Sequence, residues 1–163
     1  MARGLTPDLR VSGIGDVTPE LLRERGFRAV ITDLDNTLAL PDDLRPTEAG
    51  AAWLRTMRTA GIPVAVISNN HLPRVEGFCR PLGVPYVARC GKPFGRGVGR
   101  ALKLLGVGRR EAVLVGDQLF TDVLAASWNR ISCILTEPII PETGYFFRCK
   151  RALERLFAGK RRN

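Results

Sequence analysis

AVITDLDNTLAL, residues 29–40, is an apolar run that ends in carboxylates. Ala29, Val30 and Ile31 suit a buried strand, but Asp33 and Asp35 follow at i and i+2, with Thr37 two further on. Bringing like charges together out of water costs free energy unless a positive group sits beside them. The stretch therefore predicts a strand that stops at a functional edge, with a cation close by.

Outward from this stretch the same pattern recurs. IPVAVI (62–67), VPYVA (84–88), AVLVG (112–116) and ISCILT (131–136) are further apolar runs of strand length. Helical segments alternate with them. Thr18 is placed to cap TPELLRERG, with Pro19 at its first position and Gly26 closing it. TEAGAAWLRTMRTAG ends at Gly61, and GRGVGRALKLLG puts Val98, Leu102 and Leu105 on one face. PRVEGFCRPLG and FTDVLAASW complete the set, and a basic amphipathic helix is expected over about 145–160. Trp53 and Trp128 are expected to pack within the helix layers.

Strands that are apolar throughout, each followed by a helix, predict a parallel sheet covered on both faces. Right-handed crossovers then give a doubly wound, Rossmann-like α/β domain of about five strands spanning 1–163. Ligands of such sheets bind beyond the carboxyl ends of the strands. Polar residues collect there. Asp33, Asp35 and Thr37 follow the first run; Ser68, Asn69 and Asn70 the second; Lys92 the third; Asp117 and Asp122 the fourth. Carboxylates in a group suit Mg²⁺, a hard ion that prefers oxygen ligands. A cation, a lysine and short hydroxyl and amide groups match the charge of a phosphoryl group. One carboxylate is then free to act as nucleophile, and another as acid and base.

The order DxDxT, strand-ending Ser, Lys, GDxxxxD resembles the haloacid dehalogenase superfamily of phosphatases. TDLDNTL, ISNN, GKPFGR and VGDQLFTDVL are similar to its subclass IIIA, the YqeG-type group related to phosphatidylglycerophosphate phosphatases. DVTPELLRERG and EPIIPETGYFFR extend the likeness over nearly the whole chain. The resemblance implies Asp33 as nucleophile, Asp35 as general acid and base, and Thr37 bracing the loop at the phosphate site. It implies Ser68, Asn69 and Lys92 as phosphate ligands. It also implies a Mg²⁺ site from Asp33, the Asp35 backbone carbonyl and Asp117, supported by Asp122. Many superfamily members carry a cap domain between these motifs. Here Asp35 and Ser68 are 33 positions apart and Ser68 and Lys92 are 24 apart, enough for one βα unit each. No cap is expected, and an open site suits a substrate that brings its own surface.

The balance of 25 basic to 16 acidic residues gives a net charge of +9, a statement about partners. The excess peaks at the C-terminus, in RCKRALERLFAGKRRN, which suits an anionic membrane surface or a solvated helix face. The resemblance implies phosphatidylglycerophosphate as substrate, and the open site and the basic tail agree with a lipid phosphate at a membrane. A soluble, protein or nucleic-acid phosphate is the first alternative, and a basic RNA-binding or ribosome-associated module the second. His71, Arg74, Arg89 and Arg96 flank the edge loops as candidate contacts for an anionic headgroup. Cys79, Cys90, Cys133 and Cys149 form no CxxC pair, and reduced thiols rather than a zinc site are expected. The first residues lack the apolar core of a signal peptide, and no run reaches membrane-spanning length, so the expectation is a cytoplasmic protein, peripheral at most on the inner face of the membrane.

Overall fold

The strand that carries the opening stretch, Ala29–Thr32 (β2), lies in the middle of the sheet. The computed structural model describes residues 5–141. In chain order the elements are β1 (Leu9–Val11), α1 (Pro19–Glu24), β2, α2 (Glu48–Thr59), β3 (Val64–Ile67), α3 (Leu72–Leu82) and β4 (Tyr86–Val87). They continue with α4 (Gly97–Leu105), β5 (Ala112–Gly116), α5 (Leu124–Asn129) and β6 (Ser132–Thr136). The expected C-terminal helix at about 145–160 lies outside the described residues.

The sheet has six parallel strands in the order β1-β6-β5-β2-β3-β4. The apolar runs predict about five; the sixth is β1, which pairs Leu9 with Ile134 and Val11 with Thr136 at the sheet edge. Its three residues are at most half-buried, so they lack the apolar run by which the other strands are legible. From β2 the chain runs to β3 and β4 on one side, then returns to place β5 on the other. The reversal puts a crevice at the carboxyl ends of β2 and β5.

Alternate strand residues point to opposite faces and build two cores. Val30, Val66, Val113 and Ile134 face a layer that contains Leu22, Trp53, Met57, Val75 and Phe78 of α1, α2 and α3. Ile31, Ala65, Leu114 and Cys133 face Val98, Ala101, Leu102, Ala125 and Ala126 of α4 and α5. Thr18 caps α1 by accepting from the Leu21 N–H, and Thr47 caps α2 through the Gly50 N–H. The Trp53 indole donates to the Val17 carbonyl at 2.8 Å, which satisfies its polar edge inside the core. Trp128 differs from its expected place: it is 63% exposed and meets the Phe94 ring edge-on at 5.1 Å. It lies at the end of α5, past the residues that face the sheet.

Cys79, Cys90 and Cys133 are buried and unpaired. Among the described residues no helix is long and apolar enough to cross a membrane. The intervals from Asp35 to Ser68 and from Ser68 to Lys92 hold only α2 with β3 and α3 with β4, so no cap is inserted between these residues.

Candidate active site

Five chain segments reach the crevice. After β2 the backbone turns sharply through Asn36, which takes a left-handed conformation (φ 63°) that asparagine tolerates better than most residues. The turn is fixed by Asn36 N–H donating to the Ala39 carbonyl at 2.8 Å and by Ile139 N–H donating to the Asn36 carbonyl at 3.1 Å. Asp33, Asp35, Thr37 and Ser68 are all nearly buried around it, as are Lys92, Asp117 and Asp122.

Lys92 is the hub. Its Nζ donates to Asp33 Oδ1 at 2.6 Å and to Asp122 Oδ1 at 2.7 Å. The loop that carries it is held by Asn69, whose Oδ1 accepts from the Lys92 N–H at 2.7 Å and whose Nδ2 donates to the Lys92 carbonyl at 3.0 Å. The Asn69 side chain, expected among the phosphate ligands, is thus engaged with the lysine loop. Ser68 Oγ accepts from the Asn70 N–H at 3.0 Å. Thr37 Oγ1 donates to Asp117 Oδ1 at 3.1 Å, linking the loops after β2 and β5.

Asp122 enters through a π-helical turn, Leu119–Val123, where a regular α-helix is expected from the sequence. Its Oδ2 accepts from the Gln118 N–H at 3.1 Å. The fit needs Gly116: a Cβ there would sit 2.4 Å from the Asp122 carboxyl.

Asp35 turns away from this cluster. Its Oδ1 accepts from Arg74 Nη2 at 2.7 Å and its Oδ2 from Asn70 Nδ2 at 2.8 Å. Arg74, expected at the surface as a headgroup contact, is instead 95% buried, being only 5% exposed, with its guanidinium over the Phe78 ring at 5.9 Å. It lies on the inward face of α3, so the helix buries the charge and Asp35 neutralises it. Of the other flanking residues, His71, Arg89 and Arg96 are exposed.

The electrostatics follow from burial. Desolvation pushes Asp33 up to about 7, against the pull of Lys92 and with a further push from Asp122. Asp117 is pushed up to about 8, first by burial and then by repulsion from Asp33 and Asp122. Burial alone would lower Lys92, but Asp122 and Asp33 outweigh it and hold the ammonium well above the ordinary lysine range.

The oxygens of Asp33, Asp117 and Asp122 lie within 4.8 Å of one another. Three carboxylates there face one ammonium, and a divalent cation would neutralise the two charges that Lys92 leaves. Asp117 Oδ2 is buried with no hydrogen-bond partner, as a metal ligand would be. The donor set therefore fits a hard cation such as Mg²⁺.

Residues 16–128 match the model of the haloacid dehalogenase-like hydrolases. The chain belongs to that family. It is 39% identical over 149 residues to "Probable phosphatase YqeG" of Bacillus subtilis (strain 168), a match covering 91% of this chain and 87% of that protein. It is 28% identical over 164 residues to the chloroplastic/mitochondrial phosphatidylglycerophosphate phosphatase 1 of Arabidopsis thaliana, covering 91% of this chain but 45% of the plant protein. The fold is shared with the cobalt-bound deoxy-D-mannose-octulosonate 8-phosphate phosphatase of Haemophilus influenzae, with a TM-score of 0.52 at 17% identity, covering 70% of this chain and 80% of that one. This haloacid dehalogenase-like hydrolase is a phosphatase of the YqeG type.

Proposed function

We propose that the protein is a Mg²⁺-dependent phosphomonoesterase that works through an aspartyl-phosphate on Asp33, and that its substrate is a membrane lipid phosphate such as phosphatidylglycerophosphate. The reading rests on one observation above all: Lys92 holds Asp33 Oδ1 at 2.6 Å, within a nearly buried cluster that fits a divalent cation.

With Oδ1 tied to Lys92, Oδ2 of Asp33 is the attacking atom. It forms a bond to phosphorus as the ester P–O bond breaks, and Asp35, a carboxylate paired with Arg74 at rest, passes a proton from the substrate's phosphate monoanion to the leaving oxygen. Asp35, again a carboxylate, takes a proton from the water that attacks the phosphoryl group. The bond from phosphorus to the Asp33 oxygen then breaks, freeing phosphate, which takes that proton, and restoring Asp33. Lys92 and the backbone N–H of Asn69 neutralise and orient the phosphoryl oxygens, with the Ser68 hydroxyl as a third donor. Thr37 keeps the two loops in register through Asp117. Arg74 and Asn70 fix the direction of the Asp35 carboxylate. Mg²⁺, held by Asp33, Asp117 and the Asp35 carbonyl with Asp122 behind, would supply the positive charge that developing phosphoryl charge requires.

The choice of a lipid phosphate is supported by the plant relative's name and by the absence of an inserted cap. Phosphate release from phosphatidylglycerophosphate in anionic vesicles, beside a panel of soluble phosphomonoesters, tests it. Preferred turnover of the lipid is expected. Preferred turnover of a soluble, protein or nucleic-acid phosphate would replace the lipid reading while keeping the chemistry.

A further inference from the structure

The described residues expose ten large apolar side chains, and seven lie at the edge of the sheet that carries the site. Leu40 and Leu44 follow β2, Leu72 follows β3, Phe94 follows β4, Phe120 follows β5, and Ile139 and Ile140 follow β6. Five separate loops thus bring an aliphatic or aromatic side chain to one rim. In a parallel sheet all five loops emerge on the same side, around the crevice between β2 and β5. Ile140 N–H donates to Asn36 Oδ1 at 3.3 Å, so the rim is continuous with the catalytic loop. Trp128 extends it through its contact with Phe94.

Single exposed apolar residues are ordinary, but a gathering of this kind marks an interaction surface. We propose that this rim is a docking surface for an anionic lipid bilayer, into which its apolar side chains insert shallowly. The proposal deepens the lipid-phosphate reading and rests on it for its purpose. Two observations choose the bilayer. A protein partner or a second copy seated on this rim would cover the mouth of the site, whereas a bilayer brings the substrate with it. The charge also fits. Exposed Arg45, Arg89 and Arg96 are matched on the rim by Asp42, Asp43 and Glu137, but the chain leaves the rim at Pro141 into a sequence with seven basic and two acidic residues. Apolar insertion and basic attraction together are the two contributions that hold a peripheral protein on anionic lipid. A nucleic acid would use the charge but gain nothing from the leucines and isoleucines.

The test is co-sedimentation of the full chain with vesicles of phosphatidylglycerol and phosphatidylcholine. The wild type is compared with a triple variant, Leu44→Glu, Leu72→Glu and Trp128→Glu, all at exposed positions outside the catalytic machinery. Vesicle affinity should fall by about tenfold or more, because each acidic side chain removes apolar area from the bilayer and adds repulsion. Turnover of 4-nitrophenyl phosphate should stay within about twofold, which also reports that the variant is folded. The milder Leu72→Ser variant should weaken binding in the same direction. Equal binding of wild type and triple variant would overturn the proposal, as would a wild type that does not sediment with vesicles. A triple variant that changes only the oligomeric state would overturn it in favour of a contact between copies. A water-soluble short-chain phosphatidylglycerophosphate separates the two claims: failure to hydrolyse it sinks the substrate reading, while sedimentation alone decides the docking.

Discussion

Arg74 and Asp35 form a buried ion pair: Nη2 donates to Oδ1 at 2.7 Å, with the two side chains 4% and 8% exposed. A charge buried this far is tolerable only with its partner in place. Arg74→Ala should therefore cost about 3–5 kcal/mol of stability, read from denaturant unfolding, and should lower kcat by loosening Asp35. Arg74→Lys should recover part of both, since it keeps the charge but loses the planar fork. Unchanged stability in Arg74→Ala would contradict the pairing.

Lys92 bridges Asp33 and Asp122, so Lys92→Met leaves two buried carboxylates facing each other. Turnover should fall by about 10²–10³ or more, as when a preorganised group that stabilises developing charge is removed. Steady-state kinetics on an aryl phosphate measures it, and near-normal kcat would remove Lys92 from the chemistry.

Asp33 and Asp117 have folded pKa values of about 7 and about 8, raised from 3.8. The native state therefore binds protons that the unfolded chain has lost. What these groups contribute to stability is full below the unfolded value and is lost as pH rises through the folded values. Metal-free protein should thus become easier to unfold between about pH 4 and pH 8. Mg²⁺ needs both carboxylates ionised, so its binding near pH 7 should release protons. Calorimetry in buffers of different ionisation enthalpy reads that release, and Mg²⁺ binding without proton release would contradict the shifts.

Gly116 leaves no space for a side chain beside Asp122. Gly116→Ala should destabilise the fold by about 1–3 kcal/mol and weaken Mg²⁺ binding as Asp122 is displaced. Thermal unfolding with and without Mg²⁺ checks this, and an unaltered response would show that the turn accommodates a methyl group.

Much of the site was legible because its residues sit where strands end. Asp33, Ser68, Lys92 and Asp117 each follow an apolar run, and a parallel sheet brings such positions to one edge. What was not legible depends on which way a helix faces. Arg74 reads in PRVEGF as one more surface arginine; only the packing of α3 against the sheet turns it inward to Asp35. Asn69 shows the same limit: its place in the site was readable, but not that its side chain would hold the Lys92 loop. Strand β1 was too short to carry a pattern. Trp128 sits one turn beyond the buried face of α5, a distinction that periodicity over six residues does not resolve.

The proposed reaction runs through a covalent aspartyl-phosphate. Rapid acid quench of the Mg²⁺-loaded enzyme during turnover of a phosphorus-labelled substrate, followed by peptide mapping, tests it most directly. Label is expected on the peptide that contains Asp33, and none in Asp33→Asn, which should also lose turnover while keeping its fold. Turnover with no labelled peptide, or label on another residue, would contradict it.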